Sequence, residues 1–325
     1  MWMLLVLDKW YDYTHDEEFL SEFILPALQG SYKLMMDKFL VFHDKKYELV
    51  ISASPEINDN KYSAWVKNST YDISIIKEFL RVYIKRLENS GLDTTDAKEV
   101  LKNIVSEHIG ESGYLLAEDM PLTVSHRHMS HCMNIFPFQS LDYRDKKDLE
   151  LMNKTLSNIE AHGTKWWTGF SFVWMSALYA TAGAGEGALK YLEIFADGFV
   201  SENGFHLNGD FKKHGYTNFV YHPFTVEANG MFAEAIDEML MQYHHGILRL
   251  FPALPKAWES GCSFNGFAIN SDVRVGASIS SSLIECEIVS EKECELTLEA
   301  FGEVYKVNLL AGVNKLKFNK TPEGV

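Results

Sequence analysis

The densest run of chemistry-bearing side chains is Ser125-His126-Arg127-His128-Met129-Ser130-His131. Imidazole and guanidinium groups at that density can donate to several hydroxyls at once, which suits a substrate-binding loop. A zinc site would need two ligands on one helix face and a further ligand elsewhere. His128 and His131 have the i, i+3 spacing, but the run holds no HExxH and no third ligand is evident. The bland alternative is a polar loop of no chemical consequence. A short helix is expected after Ser130.

Two carboxylates stand in settings that favour acid–base work. Glu56, in Ser54-Pro55-Glu56 ahead of Asn58 and Asn60, lies in a long non-helical stretch. Loops on a rigid scaffold are where catalytic groups gather, and a glutamate there could act as a general acid. Glu227, in His222-Pro223-Phe224-Thr225-Val226-Glu227-Ala228-Asn229-Gly230, falls in the first turn of a helix, where the dipole favours a negative charge. Taken singly, each also fits an ordinary solvated glutamate. Thr164-Lys165-Trp166-Trp167-Thr168 and the loop Asn203–Asp210 add aromatic and amide groups. Paired tryptophans are more often core than platform. Gly183-Ala184-Gly185-Glu186-Gly187 follows no strand, so a dinucleotide loop is excluded, and no GxSxG elbow is present.

These residues need a scaffold, and periodicity supplies one. Met3, Val6, Leu7, Trp10 and Tyr13 form one helical stripe; a second helix follows Asp16, with a kink expected at Pro26. Ile73, Ile76, Phe79, Leu80, Tyr83 and Leu87 repeat the pattern. Further helices are expected after Asp93, from Lys146 to Ile159, over Phe170–Leu178 with Gly183 closing it, over Leu189–Phe195, and over Phe232–Tyr243. From Cys262 onward the apolar residues alternate at period two, as short antiparallel strands do. Pro252 and Pro255 mark the change. The first helix begins at residue 1 without a capping residue, as if inside a domain.

The whole chain has 325 residues, 30 Lys and Arg against 45 Asp and Glu, and a formal charge of −15. Such an acidic surface repels phosphate backbones and anionic lipid, so nucleic-acid and membrane roles are excluded. No run approaches the roughly 18 apolar residues of a membrane span. Cys132, Cys262, Cys286 and Cys294 are too scattered for a disulfide framework. The opening apolar run stops at Asp8 and lacks a basic leader, so no signal peptide is read. If that start is genuine, the chain stays in the cytoplasm.

Taken in order, these segments resemble the C-terminal part of the glycoside hydrolase family 95 catalytic module, whose members are α-L-fucosidases and α-L-galactosidases. The family's HRH-x-SH motif is matched by His126-Arg127-His128-Met129-Ser130-His131, and its SPEN-type loop by Ser54-Pro55-Glu56-Ile57-Asn58. Its PFQ-I-D-GN segment is matched by Pro223-Phe224-Thr225-Val226-Glu227-Ala228-Asn229, and its LLPALP-x-AW stretch by Leu250–Trp258. The resemblance implies a mainly α fold: an (α/α)6 six-hairpin toroid lacking its first helices over residues 1–248, then a small antiparallel β-sandwich-like domain over 249–325.

It further implies inverting hydrolysis of terminal α-L-fucosyl or α-L-galactosyl residues, with Glu56 as the general acid and Glu227 polarising the attacking water. His126, Arg127, His128, His131, Glu118, Trp167 and Asn229 would grip the sugar, with Trp167 as the stacking platform. A glycan is the substrate implied, with neither metal nor organic cofactor. Glu227 departs from the family's usual aspartate by one methylene. The family's water-holding asparagine pair would lie before Met1, so a missing N-terminal segment or a partner chain is expected. A catalytically impaired carbohydrate-binding remnant is the alternative, and a phosphate-dependent barrel enzyme the third reading.

Overall fold

The computed structural model describes residues 1–320, which fall into two compact units. The first comprises Met1–Val124, His128–Phe138 and Ser157–Ala161; the second comprises Ser125–Arg127, Gln139–Leu156 and the chain from His162 onward. Helices dominate the earlier part of the chain and largely antiparallel sheets the later part, as the two periodicities require.

The first unit runs through α1 (Trp2–Thr14), α2 (Glu17–Phe19) and α3 (Leu25–Lys38), the hairpin β1 (Leu40–His43) and β2 (Lys46–Leu49), α4 (Thr70–Asn89), α5 (Thr95–Asn103), and the short hairpin β3 (Ile109–Gly110) and β4 (Gly113–Tyr114). α4 is its axis. Ser69 accepts the Asp72 N–H at its start, and Ile73, Ile76, Phe79, Leu80, Tyr83 and Leu87 are buried along one side. Asp16 caps α2 through the Phe19 N–H at 2.9 Å. The irregularity expected at Pro26 takes the form of a π-helical turn, Leu20–Ile24, immediately before α3.

α1 is turned the other way from its apolar stripe. Its buried residues are Leu4, Asp8 and Tyr11, while Met3, Val6, Trp10 and Tyr13 are exposed. The cause is electrostatic. Asp8 pairs with the buried Arg86 of α4, whose Nη2 also donates to Asp12 at 2.5 Å and whose guanidinium lies 4.5 Å over the Tyr11 ring. A buried carboxylate is tolerated only when it is paired, and this pair sets the rotation of α1.

The second unit contains α6 (Lys146–Ala161) up to Leu156, then α7 (Gly169–Thr181), α8 (Gly185–Gly198) and α9 (Glu227–Leu240). α7 is apolar on all sides and nearly all of it is buried. Thr168 and Ser171 form a reciprocal capping box at its start. The glycine-rich stretch that follows is packing, not ligand binding. Gly183 ends the helix with φ at 71°, and a Cβ on Gly185 would meet the Ala253 carbonyl oxygen at 2.4 Å.

The last long helix stops at Leu240, short of the expected Tyr243. Met241–His244 is instead strand β5, paired with β6 (Ile247–Leu250). These strands are too short to show period-two alternation, which is why only the strands after Cys262 were legible. The remainder are β7 (Cys262–Ala268), β8 (Val273–Ser280), β9 (Leu283–Ser290), β10 (Cys294–Ala300), β11 (Glu303–Leu309) and β12 (Gly312–Asn319). They form two four-stranded sheets in the orders β11-β10-β6-β5 and β12-β9-β8-β7, every pairing antiparallel except β10 with β6. Both sheets bury side chains in one core that includes Leu248, Val275, Ile288 and Leu298.

Candidate functional site

Within the first unit the Ser54–Asn58 loop meets the later part of the histidine-rich run, from His128 to His131. The Ser54 and Ser130 hydroxyls lie 2.5 Å apart, both buried, and His128 Nδ1 stands 3.4 Å from Glu56 Oε2. Glu56 has a positive φ of 57°, a strained setting for a non-glycine residue that the loop's own bonds maintain. Its N–H donates to Asn60 Oδ1 at 3.0 Å, and Asn58 Nδ2 donates to the Ser63 carbonyl at 3.0 Å. Both asparagines are thus spent on shaping the loop. Met129 and His131 are fully buried, anchoring the run that carries the half-buried His128. The helix expected after Ser130 is a single 3-10 turn, Ser130–Cys132.

Within the second unit, Glu227 is the first residue of α9, exposed, its Oε2 accepting the Val226 N–H at 3.0 Å. The segment carrying it is bound to the 204–208 loop. Asn208 N–H donates to the Pro223 carbonyl at 3.1 Å and Thr225 N–H to the His206 carbonyl at 3.2 Å. His206 Nδ1 lies 2.5 Å from Thr225 Oγ1, and the His206 N–H donates to Asn229 Oδ1 at 3.0 Å. Asn229 Nδ2 in turn donates to the Gly204 carbonyl at 2.8 Å. Both ends of the Asn229 amide are therefore committed to holding this loop, rather than left open for a sugar.

His206 is fully buried, and burial holds its imidazole down at about 4 against the opposite pull of the Glu227 carboxylate. Its loop was noted in the sequence only for aromatic and amide groups. Nothing in the spacing marks His206, because its partners lie on a distant segment.

Trp167 is not a stacking platform. It is 1% exposed, with its ring packed on Phe172 and Tyr191. A run of two tryptophans at a helix entry must split between core and surface, and it is the neighbouring Trp166 that is 43% exposed. His126 and Arg127 are half-buried; their segment is fixed by Ser125 Oγ accepting the Trp166 N–H at 3.0 Å and by Ser171 Oγ donating to the Arg127 carbonyl at 2.9 Å. Glu118 is exposed on the turn closed by the Ala117–Met120 bridge.

Among the described residues no group of three or more His, Cys, Asp or Glu side chains could hold a metal, and no helix is long and apolar enough to cross a membrane. A cavity of about 170 Å³ is lined by Tyr143, Arg144, Arg249, Glu299 and Phe301. Its charges are already matched: Arg249 Nε donates to Glu299 at 3.1 Å and Arg249 Nη2 to Asp142 at 2.7 Å.

The chain matches the glycosyl hydrolase family 95 catalytic domain over residues 1–240. It is 29% identical over 324 residues to Alpha-L-fucosidase 2 of Arabidopsis thaliana, a match covering 96% of this chain and 38% of that protein. It is 23% identical over 326 residues to Probable alpha-fucosidase A of Aspergillus niger, covering 93% of this chain and 39% of the relative. Among solved structures, a putative kojibiose phosphorylase from human microbiome shares the fold with a TM-score of 0.61 at 12% identity, over 99% of this chain and 49% of that one. The chain thus spans well under half the length of the curated relatives it matches.

Proposed function

Because the chain belongs to glycosyl hydrolase family 95, matched over residues 1–240, we propose that it serves the removal of terminal α-L-fucosyl residues, or the related α-L-galactosyl residues, from glycans with inversion. On this reading α1–α9 belong to an (α/α)6 toroid and the sheets to its C-terminal β domain. Glu56 protonates the departing glycosidic oxygen, and Glu227 polarises the attacking water. His126, Arg127 and His128 donate to sugar hydroxyls, while His131 and Asn229 hold their loops in shape. The observation that carries the reading is the meeting of two motifs far apart in sequence, through Ser54 with Ser130 and Glu56 with His128.

The reaction needs no metal. The proton is supplied by one carboxyl group and the water is activated by the other, so each glutamate has a distinct task.

The test is hydrolysis of an aryl α-L-fucoside, with the anomer of the released sugar read by proton NMR. Glu56→Gln and Glu227→Gln should each lower turnover by at least about 100-fold. Full activity in both variants refutes the assignment. The alternative reading is a sugar-binding chain without turnover. A rise in melting temperature with L-fucose and no hydrolysis would select it.

A further inference from the structure

Glu227 sits exposed at a helix start, where nothing in its own turn beyond the Val226 N–H fixes the direction of its carboxylate. What flanks it is held firmly. Two residues before it, Thr225 is engaged by both the ring and the carbonyl of His206; two residues after it, Asn229 is engaged by the His206 N–H. One buried residue therefore grips the segment on both sides of the carboxylate. The ring itself cannot swing away. A Cβ on Gly169 would stand 2.3 Å from His206 Nε2 and 2.8 Å from Cδ2, so the first residue of α7 is a glycine pressed against the imidazole edge. Nε2 is buried and has no hydrogen-bond partner among the described residues, so the ring is oriented by Thr225 and by steric contact alone.

We propose that His206 is a positioning residue, which through Thr225 and Asn229 sets the direction of the Glu227 carboxylate. The proposal rests on the reading of Glu227 as the water-polarising group. The chemistry it serves is strict about direction, because a carboxylate displaced by about 1 Å loses much of its effect on the water it polarises. The imidazole need not exchange a proton during turnover. Its task is to hold Thr225 through one nitrogen while the other faces the glycine.

The experiment compares the wild type with His206→Ala, His206→Asn, whose amide reaches the Nδ1 position, and Thr225→Val, which keeps the side-chain shape and removes the hydroxyl. The control is Ile288→Val in the sheet core, which includes none of His206, Thr225 and Asn229. With an aryl α-L-fucoside as substrate, His206→Ala and Thr225→Val should lower kcat about 10- to 100-fold with KM within about twofold. His206→Asn should recover part of the loss, and Ile288→Val should lower the melting temperature without moving kcat. An unchanged kcat in His206→Ala, or a kcat that falls with melting temperature in all variants alike, overturns the proposal.

If the wild-type chain gives no turnover, the hydrolytic reading fails by itself, and the carbon-13 resonance of the Glu227 carboxyl decides the positioning. Its chemical shift should change in Thr225→Val and His206→Ala but not in Ile288→Val. No change in the first two overturns the proposal.

Discussion

Acid should weaken this protein through His206 in a defined window. In the unfolded chain a histidine titrates near 6.5, whereas in the fold burial holds His206 at about 4. Between those values the unfolded state binds the extra proton and the native state does not, so stability rises with pH across the window and is lost as pH falls through it. Above about pH 6.5 neither state is protonated and the contribution is complete; below about pH 4 both are protonated and no further loss follows. Relative to pH 7, the two values correspond to a loss of about 2 kcal/mol at pH 5 and about 3 kcal/mol at pH 4.

Urea unfolding followed by tryptophan fluorescence, at pH 7 and pH 5, measures this for the wild type and for His206→Asn. Carboxylates contribute to acid sensitivity in both proteins and cancel in the comparison. The variant is expected to be the less stable at pH 7, having lost ring contacts. It should lose about 2 kcal/mol less than the wild type on going to pH 5. A stability difference that stays constant between the two pH values refutes the reasoning. So would an imidazole that titrates near 6.5 by NMR in the folded protein.

Three other outcomes are expected. Gly169→Ala forces a Cβ to within 2.3 Å of a buried ring and should destabilise by about 2–4 kcal/mol, the sum of overpacking and a lost hydrogen bond; a urea midpoint indistinguishable from wild type would contradict it. Arg86→Met leaves Asp8 buried without its partner and should cost about 3–5 kcal/mol, part of it recovered by adding Asp8→Asn; a cost under about 1 kcal/mol would show that α1 is oriented by something else. Burial raises the Cys132 and Cys286 thiols, Cys286 to about 12, so these two should react with Ellman's reagent only after denaturation, while the partly exposed Cys262 and Cys294 react in the native protein. Rapid reaction of all four in the native protein would sink that expectation.

Much of the scaffold was legible where a pattern is local and long. α4 follows its six apolar positions, α7 its Phe170–Leu178 run, and β8 and β9 their alternation. The misses share one cause. α1 faces away from its apolar stripe because Arg86, far along the chain, draws Asp8 inward. Tyr243 is a strand residue because its hairpin partner β6 is held in turn by β10, about fifty residues further along the chain, while the hairpin alone is too short to show an alternation. Trp167 is core and Trp166 surface because Phe172 and Tyr191 close over only one of the two rings.

The site divides along the same line. Sequence alone determined the family, because motif order and residue type are properties of the chain: the Ser54–Asn58 loop, the histidine-rich run and the Pro223–Asn229 segment stand in it in the family's order. Only the tertiary structure decided which distant segments meet. His206 reaches Thr225 and Asn229, Gly169 closes against its ring, and Ser54 meets Ser130. Each of these joins residues separated by at least a whole loop or helix. Hydrogen bonds and steric contacts of a few ångströms are set by where the folded backbone brings two segments, and local residue preference carries no record of that.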